Sequence, residues 1–369
     1  MENNLLYEVA IGMLPKVGAH LTRQLISYSG SAEQVFKQSK GKLLKIPGIG
    51  ETLANNIINQ SILSKAEKEI ALAEKNNATI LFYTHKNFPE RLKHIPDAPT
   101  LLYYKGNADL NAKKTISIVG TRQATSYGKE FVERLLHDLS RHQLVVISGL
   151  AYGIDITAHK AALTSNLPTI GVMASGIDII YPSAHKETAG KMLSNGGLLT
   201  EYPFQTKPDA PRFPARNRII AGLSDAIIVI EAASKGGALI TAEIGNSYNK
   251  EVFALPGNIG NKYSEGCNLL IRNHKAHILT KAEDIEYIMN WAVASESETS
   301  SASELCLNNL NPEEQQLVIL LKSGEGIQID ELSWKSQIPV SKLASILLNL
   351  EFQGIVKAMP GKKFKLASP

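Results

Sequence analysis

The chain has 369 residues, 44% hydrophobic and 20% charged, the make-up of a soluble globular protein of two or three domains. No apolar run approaches the roughly 20 residues of a membrane span. Glu2 and Glu8 with no basic cluster argue against a secretory signal, so a cytoplasmic location is expected. A net charge of +4 establishes no polyanionic partner by itself, and Cys267 and Cys306 lie too far apart for a disulfide framework or zinc site; neither metal nor cofactor is expected.

Residues 1–75 read as short helices. Leu14-Pro15-Lys16-Val17-Gly18 returns as Ile46-Pro47-Gly48-Ile49-Gly50, and the repeat continues with Leu21 against Leu53, Leu25 against Ile57 and Ile26 against Ile58. Glycines let the backbone turn tightly, and the helix that follows offers free N–H groups to a phosphate. The second copy resembles a helix-hairpin-helix motif, which holds a DNA backbone or serves only as a packing hairpin. Lys16 in the place of Gly48 predicts an altered first turn.

Residues 80–290 alternate apolar strands with helices. Strands are expected over 115–119, 144–148, 169–174, 197–201, 226–231, 251–256 and 276–279, with helices over stretches such as 127–141 and 184–194. Short, β-branched, apolar strands suit a parallel sheet buried on both faces. The alternation predicts an α/β, doubly wound, mostly parallel Rossmann-like sheet, whose ligands bind outside the strands' carboxyl ends. Residues 294–311 are rich in Ser and Glu, a linker composition. Residues 312–369 read as a winged helix: helices over 312–322 after the cap Asn311, 329–336 and 340–353, then two short strands around Pro360-Gly361. The wing carries Lys357, Lys362, Lys363 and Lys365, but the helix over 340–353 has only Lys342, balanced by Glu351. DNA contact and protein contact both remain open for this module.

Most strand ends of the middle region are punctuated by glycine: Gly120-Thr121-Arg122 with Ser126 beyond, Gly149, Gly176, Lys235-Gly236-Gly237, and Gly257. Glycine permits close backbone approach, and each following helix presents N–H donors and a positive dipole end. Side by side, such loops predict an anion cradle, though none matches the dinucleotide fingerprint or the P-loop. Arg122 and the run Arg212-Phe213-Pro214-Ala215-Arg216-Asn217-Arg218 add cations and an aromatic, which suit consecutive phosphates with a base stacked on Phe213. Arg216 and Arg218 diverge on a helix, so one of them is expected to pair with a carboxylate of the fold.

These motifs carry a resemblance. Gly-Thr-Arg at 120–122, Ser-Gly-Leu-Ala-x-Gly-Ile-Asp-x-x-Ala-His at 148–159 and Phe-Pro-Ala-Arg-Asn-Arg-Ile-Ile-Ala-Gly-Leu-Ser at 213–224, with Thr241-Ala242 and Pro256-Gly257, are similar in content and order to the DNA-processing protein A family, also called Smf. The resemblance implies a homodimer that binds incoming single-stranded DNA during natural transformation, protects it and loads a RecA-type recombinase onto it, without being an enzyme. By motif, Gly120, Thr121, Arg122 and Ser126 contact a phosphate; Arg122, Arg212, Arg216 and Arg218 form a basic pocket with Phe213 near a base. Gly149, Asn217, Lys235, Gly236 and Gly237 complete the expected site, and the terminal modules are candidates for double-stranded DNA. Three positions depart from the family pattern: His185 replaces an asparagine, Lys235-Gly236-Gly237 replaces Ser-Gly-Ser, and His274-Lys275-Ala276 replaces a Gly-Ala.

Phosphoribohydrolases of related architecture carry Pro-Gly-Gly-x-Gly-Thr-x-x-Glu. Here the Gly-Thr pair is missing between Gly237 and Glu243. Asp155 and His159 stand four apart, as an acid–base pair or as a cap and a packing residue. The expectation is no catalytic residue, with a nucleotide-binding or phosphoribohydrolase-like enzyme as the alternative.

Overall fold

The structure is a computed structural model that describes residues 2–291, 310–321, 326–353, 355–359 and 363–366. It separates into two compact units, Met1–Val293 and Ala294–Pro369. Among the described residues no helix is long and apolar enough to cross a membrane.

The first unit opens with α1 (Glu2–Gly12), α2 (Ala19–Ser29), α3 (Ala32–Lys37), α4 (Lys40–Leu43), α5 (Glu51–Asn59) and α6 (Ser61–Lys75). The repeat forms two matching turns, with Gly18 and Gly50 as the residues before α2 and α5. Lys16 at φ 65° makes the same left-handed turn as Gly48 at φ 81°, not the altered turn expected. A side chain in that conformation costs about 1 kcal/mol. A Cβ on Gly48 would lie 3.0 Å from Leu21 Cδ2, so the first repeat packs directly over the second turn.

Among the described residues the first unit's sheet has nine strands, in the order β1-β2-β6-β5-β4-β3-β7-β8-β9. These are β1 (Thr79–Phe82), β2 (Leu101–Gly106), β3 (Thr115–Val119), β4 (Val145–Ser148), β5 (Thr169–Val172), β6 (Gly196–Thr200), β7 (Ala226–Val229), β8 (Glu251–Ala254) and β9 (His277–Ile278). β3 to β9 run parallel, within a few residues of the expected spans. The antiparallel β1 and β2 were not foreseen. They put Ile80, Phe82, Leu101 and Tyr103 into one core with Val9, Leu25, Phe36 and Ile57, so the N-terminal helices pack onto this edge of the sheet.

The connecting helices are α7 (Glu90–Lys93), α8 (Ser126–Leu139), α9 (Ile154–Thr164), α10 (Lys186–Met192), α11 (Arg212–Leu223), α12 (Gly237–Ser247), α13 (Glu265–Arg272) and α14 (Ala282–Ile288). Phe131 and Leu135 of α8 and Ala158 of α9 share one core, and Ile219 and Ile220 of α11 and Ala242 of α12 share another. The chain winds outward from β3 through β4, β5 and β6, then restarts on its other side with β7, β8 and β9. The switch point lies between β3 and β7.

The second unit holds α15 (Pro312–Leu321), β10 (Ile327–Gln328), α16 (Ile329–Ser336), α17 (Val340–Phe352), β11 (Val356–Met359) and β12 (Lys363–Leu366), the strands in the order β10-β12-β11. This is the expected winged helix. Asn311 Oδ1 accepts from Glu314 N–H and Glu314 Oε2 from Asn311 N–H, each at 2.9 Å, a reciprocal cap. Residues 294–309 of the expected linker, with Cys306, and Lys322, Pro360, Gly361 and Lys362 lie outside the described residues.

Candidate nucleic-acid interface

A cavity of about 760 Å³ opens at the switch point, where an open α/β sheet parts its loops. Its floor is the Gly-Thr-Arg loop after β3; its walls are the first turns of α11 and α12. The loop is pinned on both sides. Thr121 N–H donates to Glu231 O at 2.6 Å, and Thr121 O accepts from Ile154 N–H at 3.1 Å. Gly153 (φ 78°) makes the second contact feasible, since a Cβ there would fall 2.1 Å from Thr121 O.

Behind the floor sits a buried ion pair. Arg216 Nη2 lies 3.8 Å from Asp155 Oδ2, Arg216 Nη1 donates to Val172 O at 2.5 Å, and Arg216 Nε donates to Asn217 Oδ1 at 3.3 Å. A Cβ on Gly149 would stand 2.3 Å from both guanidinium nitrogens, so only a bare backbone leaves them room. Burial pushes Asp155 above the usual carboxylate range, with the Arg216 charge opposing, and pulls Arg216 below the usual guanidinium range. Desolvation thus weighs on both partners, and an anion in the cavity would give Arg216 a further partner.

Asp155 does not form an acid–base couple with His159. Its Oδ2 accepts from Ala151 N–H at 3.2 Å, inside the loop that leads into α9. His159 is fully buried and faces elsewhere: Nε2 meets Gly149 O, and Nδ1 meets Thr169 Oγ1, each at 2.7 Å. A carbonyl only accepts, so Nε2 carries the proton, and the Thr169 hydroxyl that stands at Nδ1 also lies 3.0 Å from Val146 O. Burial lowers the imidazole pKa to about 4, which leaves it neutral at pH 7.

The lip is different. Arg122 is exposed, with its guanidinium carbon 5.5 Å from the centre of the Phe213 ring, which in turn stands 5.9 Å from the half-exposed Tyr181 ring. Lys235, exposed, borders the same cavity. Among the described residues neither cation is in an ion pair. Among the described residues the lining carboxylates are Asp155 and Asp209, whose Oδ1 accepts from Ala210 N–H at 2.8 Å, and no Glu, His or Cys lines the cavity.

Gly120, Thr121, Arg122, Phe213, Arg216, Asn217, Lys235, Gly236 and Gly237 therefore line one cavity. Other expected residues do not line the cavity. Arg218 pairs with Glu201 and lies 4.0 Å from Asp97, and Arg212 donates to Lys207 O beneath the Tyr202 ring. Both Arg216 and Arg218 thus have carboxylate partners, where one was expected. Ser126 is exposed at the start of α8, whose capping side chain is Thr125, and Gly149 lies beneath the buried pair. Glu243 is exposed and held by Lys275 at 2.7 Å, away from the cavity. The neighbouring departure His274 adopts φ 55°, the conformation a glycine supplies, and His185 Nδ1–H donates to Leu150 O at 3.0 Å. Sequence reasoning missed Tyr181 and Tyr263 in the lining. Tyr181 follows the third glycine loop, a readable signal; Tyr263 carries none.

A family model for DNA recombination-mediator protein A matches residues 79–290, and one for the DprA winged helix domain matches residues 300–362. The chain is 32% identical over 347 residues to Protein Smf of Escherichia coli, covering 91% of this chain and 90% of that one. It is 41% identical over 198 residues to DNA processing protein DprA of Streptococcus pneumoniae, covering 54% and 70%. The X-ray structure of the Streptococcus pneumoniae DNA processing protein A superposes with a TM-score of 0.68 at 32% identity, covering 78% of this chain and 98% of that one. The Helicobacter pylori DNA processing protein A, solved for its single-stranded DNA binding mode, superposes at 0.53 with 29% identity, covering 58% and 95%. With its family model spanning more than half the sequence and a near full-length relative, this chain belongs to the DNA recombination-mediator protein A family, the DprA/Smf proteins.

Proposed function

We propose that the cleft binds single-stranded DNA without covalent chemistry, and that the protein, as a homodimer in the cytoplasm, shields incoming strands in natural transformation and passes them to a RecA-type recombinase. The lip carries this reading. Arg122 rests on Phe213, which in turn meets Tyr181, so phosphate and base both find partners at one edge, and Lys235, in no ion pair among the described residues, offers a second cation. Stacking and phosphate contact tolerate any sequence. The single-strand binding of the Helicobacter pylori relative supports the assignment. Arg216 and Asn217 back the cleft, while Arg212, Arg218, Ser126 and Gly149 act from outside it. An enzymatic reading draws no support from Glu243, which is turned to Lys275.

Replacing Arg122 with alanine tests the cleft. Titration of a labelled oligonucleotide, followed by anisotropy, should show binding weaker by roughly thirtyfold, with a salt slope reduced by about 1. Unchanged affinity in a variant with wild-type circular dichroism would reject the assignment.

A further inference from the structure

Beside the cleft, across Tyr263, lies a second cavity of about 620 Å³. The start of α8, the residue Glu231 beyond β7 and the loop from β8 to α13 enclose it. Tyr263 lines both cavities, and its hydroxyl bonds the side chain of Gln123, next to Arg122. Its carbonyl accepts from Ala232 N–H at 2.7 Å. A Cβ on Gly266 would fall 2.4 Å from Ala233 O, so α13 is packed hard against the end of β7. The shared wall is therefore fixed in place.

The second cavity has the chemistry of a nucleotide site. Tyr127 is half exposed, and its hydroxyl donates to Pro256 O at 2.8 Å, which anchors an aromatic ring at the wall. The exposed Lys262 ammonium lies 5.5 Å from the Tyr263 ring centre and, among the described residues, is in no ion pair. Asn258 and Asn261 add amides with no side-chain partner among the described residues. The one lining carboxylate among the described residues, Glu231, is buried and held by Thr125 N–H at 2.8 Å and Thr125 Oγ1–H at 2.6 Å. Glu231 also links the two cavities, since its carbonyl holds Thr121 of the Gly-Thr-Arg loop.

We infer that this cavity is a second nucleotide subsite, taking the nucleotide that adjoins the one in the cleft, its base against Tyr127 and its phosphate at Lys262. The inference rests on the single-strand reading of the cleft. Tyr263 and Gln123 form the bar over which the sugar–phosphate chain passes from one cavity to the other. A mononucleotide would fill one cavity; a polymer uses both.

Thymidine monophosphate, as a strand of one nucleotide, and oligo-dT of about twelve nucleotides, within the range of single-strand site sizes, separate the subsites in the full-length protein. Tyr127→Ala and Lys262→Ala are each expected to weaken the longer strand by about tenfold, as loss of a stacking ring or a phosphate cation does, and to leave the shorter strand within about twofold. Tyr127→Phe keeps the ring and should bind like wild type. Arg122→Ala should weaken both lengths. If Arg122→Ala weakens binding while Tyr127→Ala and Lys262→Ala change neither length, or change both equally, the subsite is overturned and the cleft stands. Wild type that binds no oligonucleotide overturns both readings. Lys262 is exposed, so its variant keeps the test valid if Tyr127→Ala fails to fold.

Discussion

The cleft and the winged helix are both architectures that hold nucleic acid in other proteins, yet they treat their cations differently. At the cleft, Arg216 is buried against Asp155, whereas Arg122 and Lys235 at the lip are in no ion pair among the described residues. On α17, Lys342 is tied to Glu313 at 2.5 Å, Glu351 accepts from Ala358 N–H, and the exposed positions include Leu348 and Phe352. A shared architecture does not assign the ligand; the pairing state of the cations does. An arginine whose charge is already answered builds the site, and one left open is available to a phosphate.

The largest expected effect tests the buried side of this contrast. Arg216→Ala leaves Asp155 buried without its partner and should cost about 3–5 kcal/mol of stability. Lys342→Ala breaks an exposed pair and should cost less than about 0.5 kcal/mol. Urea denaturation of both variants measures the difference. Equal costs would mean that Arg216 is hydrated, and the division between structural and ligand-facing arginines would fall.

Much of this was readable in the sequence, for physical reasons. Parallel strands such as Thr115–Val119 are buried on both faces and announce themselves as β-branched apolar runs. β2, Leu101–Gly106, ends in tyrosines, a lysine and a glycine, and pairs on one side with β6, distant in the chain, so little local pattern marks it. The glycine loops showed where the cleft lies, because close backbone approach restricts residue type. The fates of Arg216 and Arg218 were hidden, because their partners Asp155 and Glu201 are brought in by the fold. Helical spacing showed that two arginines diverge but not that both meet a carboxylate.

The next effect separates the units by pH. His159 has a pKa of about 4 against an ordinary 6.5, so between those values the unfolded chain takes up a proton that the native state refuses. Stability should therefore fall as pH drops through this window, by at most about 3 kcal/mol, and be fully restored above it. Asp155, raised by burial, works in the opposite sense, so the effect is read as the difference between wild type and His159→Gln. The variant's profile should be flatter. Ala294–Pro369 contains no histidine, so a separate melting transition of the winged helix should not share this slope. Parallel profiles for wild type and variant would remove His159 as the neutral support under the cleft.

The smallest expected effect concerns the wing. Lys357 and Lys363 are exposed and, among the described residues, in no ion pair, so by charge alone they compete with Arg122 for a strand. They differ from Arg122, which lies over Phe213, in lying over no aromatic ring among the described residues, and a bare phosphate contact is a salt-dependent, sequence-blind contribution. The double variant Lys357→Ala, Lys363→Ala should leave single-strand affinity within about twofold, while the salt slope for duplex DNA falls by about 0.9 per lysine removed. A single-strand loss as large as that of Arg122→Ala would place the strand on the winged helix. The unpaired cation would then define the site by itself, and the Phe213 ring beneath Arg122, tilted against Tyr181, would be packing rather than recognition.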